Sequence, residues 1–258
     1  MLEEKSAFSF QRIKNILGIS LALAKINFKL KNEGTYLGLL WFFLEPLIMF
    51  MTLRAVFTHR IAENIPYYSL YLLLGVLMFQ FFSKATAEAV TCVVRQGEFI
   101  KTMKIDPWVF VISSLLTVIY AHFFEFIFLT VCFILFKGSL GGILLYPFIF
   151  VIFCIFVLGL SLLVSIVGIY ARDFTYVWRS ICVVLWFVMP IAYIAHADEW
   201  WIQLNPVYYY ISIARSLMIY HQMPGISMLM AAFILSFLVL GLGTLVFERY
   251  RPSFAEKI

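Results

Sequence analysis

The sequence predicts an all-α integral membrane protein: six transmembrane helices, an N-terminal amphipathic interface helix, and short re-entrant helices after span 5. Three observations carry that reading. Hydrophobic residues make up 64% of the 258 positions and charged residues 13%, against roughly 45–50% and about 25% in an average soluble domain. The 19 Lys/Arg and 14 Asp/Glu are too few to cover a water-soluble globule of this length. The apolar residues fall in continuous runs near the ~20 residues a helix needs to cross a ~30 Å hydrocarbon core. A β-barrel would alternate instead.

Residues 1–36 form a cytoplasmic N-terminal segment and 37–258 the membrane domain. Within 10–31, Ile13, Ile16, Leu17, Leu21, Ile26 and Leu30 mix with Lys14, Lys25, Lys29 and Lys31. That is the pattern of a basic helix lying in the membrane interface, and its closely set lysines argue against a seventh span. The charges near the start and the lack of a small-residue cleavage site argue against a signal peptide.

Six spans follow: Leu37–Phe57, Ser69–Val94, Val109–Phe136, Ile143–Tyr170, Val177–Ala195 and Ile226–Phe247. Several exceed the minimum, which implies tilt. Lys5, Arg12, Lys14, Lys25, Lys29, Lys31, Arg95, Lys101, Lys104, Arg172, Arg179, Arg249, Arg251 and Lys257 fall on one side of these spans. The other side has Arg60, Lys137 and Arg215. The positive-inside rule then puts both termini in the cytoplasm. The net charge of +5 is a topological signal and gives no reason to invoke nucleic acid. Segment 196–225 is too polar to span but carries Trp200, Trp201, Tyr208, Tyr209 and Tyr210, with Asn205-Pro206 reading as a turn between two short helices at the outer interface.

The chain has no GxxxxGK[ST] loop, HExxH or GxSxG. Cys92, Cys132, Cys154 and Cys182 lie in apolar stretches with no metal-ligand spacing, and His59, His122, His196 and His221 are scattered. Charges inside spans are more informative, because each costs about 2.5–3.5 kcal/mol or more at the bilayer centre. Glu45 precedes Pro46 in span 1, Glu125 sits in span 3, and Arg54 snorkels at the outer end of span 1. Lys84 and Glu88 are four apart on one helix face, either paired with each other or part of a pathway. The short cytoplasmic stretch Arg95–Pro107 presents Phe99, Ile100 and Met103 as an apolar edge. It reads as a plain loop or as a helix fitting a groove on a soluble partner.

Taken in order, these features resemble the membrane subunit of bacterial ABC exporters for cell-surface polysaccharides, the O-antigen, capsule and teichoic acid class. Tyr36-Leu37-Gly38-Leu39-Leu40-Trp41 with Glu45-Pro46 is similar to that family's opening of span 1. Gly75 through Phe81-Phe82-Ser83 resembles its span 2 element, and Tyr170-Ala171-Arg172-Asp173 the segment after span 4. Pro190 with Tyr193, and Asn205-Pro206 with Arg215, are similar to its late motifs. The family's O-antigen branch has an IKK…FPR coupling segment where this chain has Ile100-Lys101-Thr102-Met103-Lys104-Ile105-Asp106-Pro107. Gln96-Gly97 with Phe99, and Leu44-Glu45-Pro46, look closer to the capsule branch. Arg172-Asp173 and the tail from Arg251 to Phe254-Ala255-Glu256 look closer to the O-antigen branch.

The resemblance implies a permease of an ATP-driven exporter for lipid-linked polysaccharide in the bacterial inner membrane, working as a homodimer with two copies of a P-loop ATPase. ATP and Mg²⁺ would sit on that partner and no cofactor on this chain. It makes Glu98, Phe99, Ile100, Lys101 and Lys104 the coupling contacts, and Gly38, Trp41, Glu45, Pro46, Lys84 and Glu88 the signature and pathway residues. It makes Trp200, Trp201, Asn205, Pro206, Tyr208, Tyr209, Tyr210 and Arg215 the outer gate. The alternatives are a permease for a drug or other small amphiphile, and an intramembrane enzyme of lipid-linked sugar metabolism.

Overall fold

The computed structural model describes residues 2–33, 36–61, 65–103, 105–136, 140–193 and 200–257, and among them every regular element is a helix. In chain order these are α1 (Leu2–Asn32), a 3-10 turn (Gly38–Leu40), α2 (Trp41–Ile61), α3 (Tyr68–Arg95), α4 (Gly97–Met103) and α5 (Trp108–Leu135). There follow α6 (Leu140–Ile143), α7 (Tyr146–Tyr170), α8 (Phe174–Val188), α9 (Trp200–Gln203), α10 (Pro206–Met218), α11 (Ile226–Tyr250), a second 3-10 turn (Arg251–Ser253) and α12 (Phe254–Lys257).

Five helical stretches among the described residues are long and apolar enough to cross a membrane: Gly38–Phe57, Tyr68–Arg95, Trp108–Leu135, Gly141–Tyr170 and Ile226–Ser253. The run expected at Val177–Ala195 is helical only to Val188. At 15 residues, α8 is about 22 Å long, short of a ~30 Å core. It stops because Met189 takes extended backbone (φ −75°, ψ 133°), the conformation that a following proline, Pro190, imposes.

The central pillar is α3, with 78% of its most apolar stretch buried by protein, against 11% for α2. From Leu70 to Phe79 every α3 residue is buried, so α3 is apolar all round, as a helix enclosed by others must be. Around it pack α5, α7, α8 and α10. The most extensive helix contact is between α7 and α11. It is close because Gly159 and Gly243 meet: a Cβ on Gly159 would lie 2.5 Å from Leu240 N, and one on Gly243 would run into Gly159 O. Small residues let membrane helices approach in this way.

The N-terminal helix is longer than expected and packs along α5 with small residues. Ser20 Oγ donates to Val109 O (3.3 Å) and Ala24 O accepts from Thr117 Oγ1 (3.4 Å). Ile13, Leu17, Leu21, Ile26 and Leu30 are exposed and face away from the bundle, while Leu23 and Phe28 pack inward. A second small core holds the far end together: Val93, Ile100, Phe110, Phe247 and Phe254 cluster where α3, α4, α5, α11 and α12 converge.

The α7–α11 contact is tested by paired glycine substitutions. Gly159→Ala should lower the melting temperature, at a cost of about 1–3 kcal/mol for overpacking. Gly241→Ala, whose new Cβ meets nothing within 4 Å, should leave it level or slightly raised. Equal melting temperatures in one detergent would refute the close approach.

Candidate functional site

Three groups of residues in this chain can carry function: an exposed helix at the basic end, a charge network within the bundle, and the segment following α8.

At the basic end, α4 turns Gly97 and Ile100 inward and leaves Glu98, Phe99 and Lys101 exposed. Phe99 is 45% and Met103 65% exposed, one turn apart on the outer face. Ile100 belongs to the buried cluster with Phe247 and Phe254. Of the five expected coupling residues, three are therefore displayed and Ile100 anchors them; Lys104 lies outside the described residues. The sequence reading missed the knot behind this helix. Asp106 accepts from Arg12 (3.0 Å), Arg251 (2.8 Å) and the backbone N–H of Trp108 (3.3 Å). Glu248 binds Arg12 (3.0 Å), Arg251 (3.1 Å) and Trp108 Nε1 (2.8 Å). Burial opposes the Arg12 charge, but attraction and hydrogen bonds from Asp106 and Glu248 outweigh it and raise its pKa above the ordinary value. These residues counted only as topological charges in the sequence, since α1 and α11 are far apart along the chain.

Within the bundle, Lys84 and Glu88 do not pair with each other, which is one of the two readings their spacing leaves open. Lys84 Nζ reaches Glu45 (3.0 Å) on α2 and Glu125 (3.2 Å) on α5. Glu88 is held by Lys31 and Arg95, each at 2.8 Å. Glu125 has a side chain only 2% exposed, and a carboxylate so buried requires a cation; Lys84 supplies it. The network continues as His122 Nδ1–H donates to Glu125 (2.8 Å) and the Tyr146 hydroxyl meets His122 Nε2 (2.7 Å). Phe81 and Phe150 flank the imidazole at 5.0 and 4.5 Å. Arg54 lies 5.3 Å over the Phe136 ring, a cation–π contact at the end of span 1. Gly38 has a positive φ (+47°) in the turn before α2, Trp41 begins α2 and is 48% exposed, and Pro46 is buried inside it.

Beyond α8, residues 194–199 and the Trp200 side chain lie outside the described residues. Asn205 caps α10, its side chain accepting from Val207 N (3.1 Å), with Pro206 in the first turn. Trp201 is 46% exposed, and Tyr208 and Tyr209 are half-buried. Tyr210 differs. It is fully buried against Phe153 and Phe156 and donates to Ala232 O (3.1 Å), so it roots α10 in the core. Arg215 is buried too, and its partners are carbonyls: Pro190 O (2.7 Å), Ile191 O (2.9 Å) and Tyr71 O (3.2 Å). Its Cζ lies 3.4 Å over the Tyr71 ring. Burial lowers the guanidinium's pKa from its ordinary value. Gly75 leaves the space, since a Cβ there would collide with Arg215 Nη2.

Two outcomes follow from this geometry. Lys84→Met leaves Glu125 with His122 alone and should cost about 3 kcal/mol, the low end for a broken buried pair because Lys84 is part-exposed. Lys84→Met with Glu125→Gln should recover most of that in thermal unfolding; a double variant no better than the single would show the two are not coupled. Arg215→Lys keeps the charge but cannot span three carbonyls, and should cost about 1–3 kcal/mol for each carbonyl left unpaired.

The pattern of the family described as "ABC-2 type transporter" matches residues 20–219, from the middle of α1 to the end of α10. The O-antigen export system permease protein RfbA of Myxococcus xanthus is 22% identical over 253 residues, covering 93% of this chain and 95% of that protein. The protein of the same name from Klebsiella pneumoniae is 22% identical over 248 residues, with 93% and 95% covered. A match over most of the chain, on a bundle of membrane-length helices, places the protein plainly: it belongs to the ABC-2 type transporter family of membrane proteins.

Proposed function

We propose that this chain is the transmembrane subunit of an ATP-driven exporter that moves lipid-linked polysaccharide across the bacterial inner membrane. One observation carries the reading: two proteins named as O-antigen export permeases align with 93% of the chain. ATP hydrolysis belongs to a separate subunit, since the sequence holds no phosphate-binding loop. Two copies pair with two such ATPases. α8 completes a sixth crossing with the residues after it, both termini are cytoplasmic, and α1 lies along the inner interface.

The architecture supports this. With only 11% of its apolar stretch covered within one protomer, α2 has a face free for a second copy, and Glu45 stands half-exposed beside it, with 54% of its side chain accessible. A conduit between two copies has room for a hydrated chain that six helices packed on themselves lack. Phe99 and Met103, displayed on α4 and braced by Ile100, fit a groove on the ATPase in the way of a short helix anchor. Trp201, Tyr208 and Tyr209 stand where the polymer leaves. Their rings stack on the C–H faces of sugars and close the exit at rest.

Complementation decides the function. A strain lacking the gene should lose its surface polysaccharide and regain it with this chain plus its ATPase. If the reconstituted pair hydrolyses ATP in response to a small amphiphile and not to lipid-linked glycan, the polysaccharide reading fails. Phe99→Ala should cut export per ATP about tenfold, the scale of an interface hot spot, with the melting temperature unchanged. Ile100→Ala, by contrast, should lower stability first. For the exit, cysteines placed at Trp201 or Tyr209 in the two protomers should crosslink at rest and block export. Export continuing with those sites uncrosslinked leaves the aromatics only an anchoring role.

A further inference from the structure

Between α1, α3 and α5 lies a cavity of about 420 Å³, with Asn27, Lys31, Glu88 and Arg95 at its polar side. That volume falls within the ~300–1,000 Å³ of small-molecule sites. Neither the coupling helix nor the outer segment touches it.

Its charges are arranged. Glu88 spends one carboxylate oxygen on Lys31 (Oε1, 2.8 Å) and the other on Arg95 (Oε2, 2.8 Å). The carboxylate thus holds two cations at fixed positions on either side, and the cluster keeps a net charge of +1. An ammonium has three N–H donors and a guanidinium five, so most donors of both cations are free to bind an anion.

The remaining wall offers the opposite. Ser113, Ser114 and Thr117 also line the cavity. Each gives its hydroxyl proton to a backbone carbonyl: Ser113 to Phe110 (3.0 Å), Ser114 to Val111 (2.9 Å), Thr117 to Ser113 (2.7 Å). Their oxygens are left as acceptors. A ligand that fits both walls carries an anionic group at one end and a hydrogen-bond donor at the other.

The cavity also sits at a telling depth. Arg95 ends α3 and Lys31 lies in the last turn of α1, where the apolar stretch of the bundle gives way to basic residues. Leu30 lines the opening and is 60% exposed, and Leu21 and Ile26 on the same helix are exposed as well. Basic pockets between membrane helices at that level take lipid headgroups.

We propose that this cavity binds the headgroup of a glycerophospholipid whose phosphate carries a terminal donor, as phosphatidylethanolamine and phosphatidylglycerol do. The phosphate lies between Lys31 and Arg95, and the ammonium or glycerol hydroxyl meets Ser113, Ser114 and Thr117. The lipid then fills the gap under α1 and holds that helix against α3 and α5. Phosphatidylcholine has the same phosphate but no N–H on its trimethylammonium, so the site discriminates against it.

The test uses the purified full-length chain, delipidated and titrated with short-chain lipids, with bound lipid counted by native mass spectrometry. Phosphatidylethanolamine and phosphatidylglycerol should each bind at least ~10-fold more tightly than phosphatidylcholine, the scale of one charge-assisted hydrogen bond. Lys31→Ala with Arg95→Ala should abolish tight binding of both. Ser114→Ala with Thr117→Val leaves the ion pairs intact, which keeps the fold, and should bring the ethanolamine-to-choline ratio towards one. Equal binding of all three lipids by the unaltered chain overturns the proposal, as do variants that keep its full preference. Binding of phosphatidylglycerol alone also overturns it, because net charge without donor recognition then suffices.

Discussion

Arg215 closes a hydrogen-bonding deficit that the chain creates for itself. Where α8 breaks at Met189-Pro190, Met189 is extended and the residues that follow, to Ala192, leave the helix while staying buried. Their carbonyls have no helical partner and, in a bilayer, no water; each unsatisfied group there costs several kcal/mol. Arg215 donates to Pro190 O and Ile191 O, while Tyr71 Oη reaches Tyr193 O (2.8 Å) and Tyr68 Oη reaches Ala192 O (3.1 Å). Three elements distant in the chain, the start of α3, the end of α8 and the end of α10, thereby become one unit. Gly75 is part of the same device, since only a residue without a side chain admits the guanidinium.

The bundle is built around unequal burial. α3 has almost no surface left, whereas α2 seats Phe50 in the core and packs Leu47, Met49, Leu53 and Phe57 against it while leaving most of its apolar stretch uncovered. Lys84 bridges it to Glu125 through Glu45. Phe42 stacks on Phe28 (5.4 Å) and Phe124 (5.8 Å), joining α1, α2 and α5.

At the basic end, parts distant in the chain are also joined. Ile100 is seated among Phe247 and Phe254, and Asp106 and Glu248 tie α1, the start of α5 and the end of α11 through Arg12, Arg251 and Trp108. α4, which displays Phe99 and Met103, is thereby fixed to three helices together. The ion pairs are part-exposed, and their individual worth is small; a network that fixes relative position matters more than its energy.

The sequence by itself determined the class, the apolar runs and the family. These depend on composition and local order: a run of about twenty apolar residues is long enough to span as a helix, although in the run at Val177–Ala195 Pro190 stops the helix at Val188. It also marked Asn205-Pro206 as the turn between two short helices, because turn-forming residues act locally; that Asn205 caps the second of them came from the structure. It left Lys84 and Glu88 open, as a mutual pair or as pathway residues, and the pair does not form. Spacing along one helix says that two charges can meet, but Glu125, Lys31 and Arg95 come from elsewhere and outcompete that pairing. Tyr210 and Tyr209 are adjacent and alike in sequence, yet one is a core residue and the other is half-buried at the surface, since only the packing of α7 and α11 fixes which side of α10 is inside. The sequence expects Arg215 to bond to carbonyls or an acid near the outer segment, and the residue does bond to carbonyls. Which carbonyls, the Asp106 knot and the cavity beneath α1 belong to the tertiary structure alone, because each assembles residues many tens of positions apart and no local pattern records which distant helix will lie alongside.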